Sequence, residues 1–199
     1  MRRAGVTGAV VLALSATAAA QSPPARPHAS SWLVPALHGA GLLVGQRVAA
    51  SILWTRAFSL EDGDRNLRHL RAGYTQPPAF DPRRQLFEWD GDRWEINFVG
   101  HGLMGSELYL RARQCQHGFA ASLAFAAVGS VVWEYGVEVW NSRPSANDLL
   151  WTPLGGALIG ELRFVTWEMA AGLSPVARGI VRAIVDPFGE LERALGTPC

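Results

Sequence analysis

The chain has 199 residues, enough for one domain with a sizeable core, and 49% of them are hydrophobic, which is ordinary for a globular protein and low for a polytopic membrane protein. Its net charge of +1 gives no reason to expect nucleic acid as a partner, since that requires a clustered basic surface. All 18 basic residues are Arg, so no mechanism needing a Lys base, Schiff base or phosphate clamp is available.

The first segment, MRRAGVTGAVVLALSATAAAQ, has a basic start at Arg2 and Arg3, an apolar-to-small run and an A-x-A-like site at Ala18-Ala19-Ala20. It reads as a secretory signal peptide over 1–20, removed after Ala20. A Pro/Ser-rich spacer follows over 21–31, then a single helical domain over 32–199. The mature chain is expected to be exported into a bacterial envelope, either periplasmic or membrane-associated. Residues 32–60, WLVPALHGAGLLVGQRVAASILWTRAFSL, are long enough to cross a bilayer, but His38, Gln46 and Arg47 sit inside the stretch. Gly41 and Gly45 have the spacing that lets helices approach closely. A packed helix lying in or on a membrane fits better than a lipid-facing span.

Residues 61–84 read as a polar loop with one short helix over 66–72, broken by Pro77-Pro78. FEWDGDRWEINF alternates around Asp90-Gly91-Asp92, a signal for a short hairpin or extended piece. GHGLMGSELYLRARQ turns helical, with His101, Gly105, Leu108 and Ala112 on one face. The strongest helix covers 119–140. Thr152-Pro153 suits a helix start, with Thr as cap and Pro first, and that helix carries Gly156-x-x-x-Gly160. Ser174-Pro175 and Asp186-Pro187 start two more. The expected fold is all-α: a compact, membrane-associated bundle of apolar, glycine-rich helices with one short hairpin or extended segment. Export permits a disulfide, but two thiols, Cys115 and Cys199, make no framework, and no bond is assigned from sequence.

The polar residues pose a choice. Glu134 and Glu138 stand four apart at the end of the apolar helix, on one face, where like charges repel. One reading is a solvated helix end with Arg143 nearby as partner. Ser145-Ala-Asn-Asp148 resembles a capping box, and Arg143-Pro144 forces a turn before it. The sharper reading gathers His101, Glu134, Glu138, Asp148 and Glu161 in one polar pocket between packed helices, with Asn97, Arg143 and Ser145 beside it. The spacing matches no metal motif such as H-E-x-x-H, so no metal or cofactor is assigned. There is also no G-x-S-x-G, C-x-x-C or phosphate loop.

FEWDGDRWEINFVGHGLMGSELYLRARQ, SVVWEYGVEVWNSRPSANDLLWTPLGGALIGE and IVDPFGELERALG together resemble the bacterial family known as domain of unknown function 3943, over 87–196. That family pairs its His with Pro, whereas His101 is followed by Gly102. The resemblance implies an envelope protein, with the outer membrane ahead of the inner, and carries over no catalytic residues. A looser similarity to VanZ-like membrane proteins points to His101, Glu134 or Glu138, Arg143, Ser145 and Asp148. The expected role is non-enzymatic, structural or binding, with membrane lipid or an envelope protein as partner. The alternative is an envelope enzyme acting on lipid or cell-wall material. There His101 would be the base, Glu134 or Glu138 would orient it, and Asp148 or Arg143 would hold the substrate.

Overall fold

The computed structural model describes residues 31–55, 58–196 and 199. The expected signal peptide and all of the spacer but Ser31 lie outside these residues. Among those described there are seven α-helices. α1 (Leu33–Leu53) is followed by α2 (Gly63–Thr75), whose first turn is capped by Asp62 accepting the Arg65 N–H at 2.9 Å. α3 (His101–Gln114) grows out of a π-helical turn, Glu95–Gly100. α4 (Phe119–Val132) runs directly into a second π turn, Trp133–Glu138. α5 (Ala146–Met169) is capped by Ser145, whose Oγ accepts the Asp148 N–H at 3.2 Å. α6 (Pro175–Val185) and α7 (Pro187–Ala194) both open on a proline, and Asp186 caps α7 by accepting the Gly189 N–H at 2.9 Å.

Two local readings change. Thr152-Pro153 does not start a helix: α5 begins at Ala146, and Pro153 lies inside it. The cap at Ser145 is held by tertiary contacts, which outweigh the one backbone bond that proline removes. The segment between α2 and α3 runs through turns and bends, and Gly91 takes a left-handed φ of 108° between the two aspartates. The β contact there is one isolated parallel bridge, Ala79 to Ser145.

α3 is the axis of the bundle. Every residue from His101 to Ala112 except Leu103 is buried. Its main neighbours are α5 and α4. The approach to α5 is backbone on backbone. A β-carbon on Gly105 would fall on the Thr152 carbonyl, and one on Gly156 on the backbone of Gly105 and Ser106. Met104, Leu108, Tyr109, Ala126, Trp133 and Ala157 form the apolar core around this contact.

Beyond that core the polarity is inverted. Leu150, Leu154, Leu158, Leu162 and Met169 make an exposed apolar line along α5. Val176, Ile180 and Ile184 do the same on α6, and Leu37, Val44, Val48 and Ile52 on α1. An apolar groove of about 840 Å³ runs between α1 and α7. Ionisable groups lie inside instead. His38 meets Glu192 at 2.5 Å and Glu107 at 3.3 Å. Arg163 donates to Glu107 at 2.5 Å, to Ser106 Oγ at 2.7 Å and to the Val185 carbonyl at 2.7 Å. Arg111, 1% exposed, faces Glu192 at 3.3 Å and Asp186 at 3.7 Å, and Arg193 reaches Asp186 at 2.6 Å. This network ties α7 to α1, α3 and α5.

Cys115, just past α3, is bonded to Cys199, with Cα atoms 4.8 Å apart and a sequence separation of 84. The bond holds the end of the chain beyond α7 against the end of α3. Reduction, or Cys115→Ser, is expected to cost about 2–4 kcal/mol of stability. Comparing thermal midpoints with and without reductant checks this, and unchanged midpoints would mean that the ion network alone holds α7.

Candidate functional site

The N-termini of α3 and α5, the second π turn and the loop before α3 converge on one buried polar centre. His101 is the first residue of α3. Its Nδ1 lies 2.9 Å from Thr152 Oγ1, a turn and a half into α5. Its Nε2 lies 3.9 Å from Glu134 Oε1 and 3.8 Å from Asp148 Oδ2. These three residues are 4%, 1% and 2% exposed, so solvent does not reach them.

Each carboxylate has a stated holder. Glu134 Oε2 accepts the Ser145 N–H at 2.7 Å, while Oε1 is buried without a hydrogen-bond partner. Glu138 takes the Trp133 indole N–H on one oxygen and the Ser142 hydroxyl, at 3.2 Å, on the other. Asn97 Nδ2 bridges Asp90 at 2.9 and 3.0 Å and also donates to the Phe87 carbonyl at 2.8 Å. Asp90 in turn bonds Asp148 and Ser145 and takes the Asp92 N–H.

The electrostatics follow from burial. Loss of solvent pushes the His101 imidazole down to about 4, against the opposing pull of the Asp90 charge, so it is neutral near pH 7. Loss of solvent, and then the Asp90 charge, push the Asp148 carboxyl up to about 9. Asp148 therefore carries a proton and donates it to Asp90. Burial alone would raise Asp90 as well. Hydrogen bonds from Ser145, the Asp92 amide, Asp148 and Asn97 outweigh it and hold Asp90 below the ordinary carboxylate range. Asp92 is raised by its own burial and by its neighbour Asp90.

The expected cluster is thus partly assembled. His101, Glu134, Asp148, Asn97 and Ser145 come together, and Glu138 lies next to them. Glu138 faces Asp92 and a small polar cavity lined by Phe58, Arg65, His69, Asn141 and Ser142. Arg143 is not the partner of either glutamate: it reaches out to Gln76 Oε1 at 2.8 Å. Glu161 is not in the centre either. It lies further along α5, holding Arg113 at 2.9 Å and Tyr109 at 2.6 Å. Asp90, Asp92 and Thr152 belong to the centre although the sequence reading gave them only turn and cap roles. The available signal was two carboxylates one residue apart, upstream of Asn97 and His101.

Residues 86–188, just over half of the chain, match the family described as Domain of unknown function (DUF3943). No curated protein and no solved structure matches the chain.

Proposed function

We propose, taking as premise that this chain belongs to the DUF3943 family, that it is an exported, membrane-associated protein of the bacterial envelope with a non-enzymatic role. Its apolar helix faces rest against lipid or an envelope partner, and its polar centre fastens the helices from within. One observation carries this reading: the inverted polarity, with leucine lines outside on α5 and ionisable side chains inside. Exposed apolar area on this scale is costly in water and favourable against acyl chains. α1 and the stretch Phe119–Glu138 are also long and apolar enough to enter a membrane, by length and composition.

An enzymatic reading has one observation in its favour, the closeness of His101 to both Glu134 and Asp148. The burial of all three weighs against it, because a substrate has no path to the imidazole. Alkaline carbonate extraction of membranes separated on a density gradient tests the main reading. The protein is expected to stay in the pellet and to need detergent for purification. Recovery in the carbonate supernatant as a soluble monomer would sink the membrane assignment.

A further inference from the structure

We propose that His101 Nε2, one Glu134 oxygen and Asp148 Oδ2 form a binding site for one first-row divalent transition cation. The three come from α3, the second π turn and α5, and one ligand atom from each lies within 4.8 Å of the other two. At bond lengths of about 2.0–2.2 Å, a cation fits among atoms 3.8 and 3.9 Å apart, and closing the widest gap takes only small side-chain shifts.

A second observation singles out this point from an ordinary acidic cluster. Glu134 Oε1 is buried, has no hydrogen-bond partner and is aimed at His101. A buried carboxylate oxygen without a donor is costly, and proteins seldom leave one. Its companion Oε2 is satisfied by the Ser145 amide, so the side chain is not loosely placed. A cation between the imidazole and the two carboxyl groups supplies the missing partner.

The donor set defines the class. One imidazole nitrogen with two carboxylate oxygens suits zinc, manganese or ferrous iron, whereas calcium and magnesium favour all-oxygen sites. The surroundings are those a ligand set requires. Thr152 takes the other ring nitrogen of His101 and so can hold the tautomer that leaves Nε2 free. Asp90, fixed by Asn97, orients Asp148. The site goes beyond the envelope reading and does not depend on it.

The test uses the full chain, purified in detergent, stripped with chelator and dialysed against zinc, with bound zinc counted by elemental analysis. Cobalt is added in parallel and its visible absorption recorded. Wild type is expected to retain one zinc per chain. Glu134→Gln is expected to weaken zinc binding about ten-fold or more, and to lose the cobalt bands. Without metal it should keep the wild-type thermal midpoint or exceed it, because glutamine still accepts the Ser145 amide and places no charge in the buried centre. Asp148→Asn is measured alongside, so that misfolding of one variant leaves the other as readout. The exposed Glu168→Gln serves as control and should bind as wild type does. Wild type binding less than a tenth of an equivalent would overturn the site, as would folded variants that bind like the control. Protein that washes off membranes yet takes up one zinc would remove the envelope reading and leave this site standing.

Discussion

Gly156→Val is expected to prevent folding, and Gly105→Ala to cost more than about 3 kcal/mol. The magnitude follows from what a new β-carbon would strike. At Gly105 it is the Thr152 carbonyl, and at Gly156 it is the backbone of Gly105 and Ser106. Backbone held within two helices cannot step aside as a side chain can. Gly129 offers the contrast, because a β-carbon there meets the methyl end of Leu108. Gly129→Ala should therefore cost only about 1 kcal/mol. Thr152 also holds His101, so any separation of α3 and α5 opens the polar centre as well. Chemical denaturation in detergent, followed by near-ultraviolet circular dichroism, ranks the three variants. Equal losses at Gly105 and Gly129 would mean that the α3–α5 contact yields more readily than its backbone approach implies.

Arg111→Met is the second large effect, at about 3–5 kcal/mol. Arg111 is buried and faces Glu192 and Asp186, and its Nη1 donates to Gln114 at 3.0 Å. Methionine keeps much of the volume but removes the charge that faces two carboxylates away from water. Breaking one side of a buried network costs far more than the network's net contribution to stability. The comparison is Arg113→Ala, whose ion pair with Glu161 is partly exposed on both sides and is worth about 0–1 kcal/mol. Thermal midpoints of the two variants in one detergent check the ratio. If Arg111→Met melts with Arg113→Ala, then His38, Arg163 and Arg193 sustain the carboxylates of the network without it.

Local chemistry made much of the fold legible. Ser174-Pro175 and Asp186-Pro187 start helices because cap and proline act within a single turn, where nothing distant competes. Thr152-Pro153 has the same local form and starts nothing, because α5 already begins at the Ser145 cap, where Glu134 holds the Ser145 amide. The pairing of charges was the least legible part. Arg143 is the nearest cation to Glu138 in sequence and points elsewhere, while Glu161 pairs with Arg113 across the α3–α5 contact. Periodicity tells which face a residue occupies, not what meets that face. His101, Glu134 and Asp148 could be suspected as isolated polar residues in apolar surroundings. Asp90 and Asp92 gave only the weak signal of their closeness to Asn97 and His101, because a turn rich in aspartate is ordinary on a surface.

The bond between Cys115 and Cys199 also gives the molecule a direction. Disulfides persist where oxidants reach them and are removed where thiol reductants circulate. In the proposed envelope setting, the end of α3 that carries Cys115 is the end that oxidants must reach. His101 opens the same helix at the opposite end, about 20 Å away at 1.5 Å per residue. The length of α3, packed by α4 and α5, thus separates the disulfide from the polar centre. A small ion bound for that centre would more readily arrive from the other end of the bundle, past the turns that carry Asp90 and Asp92.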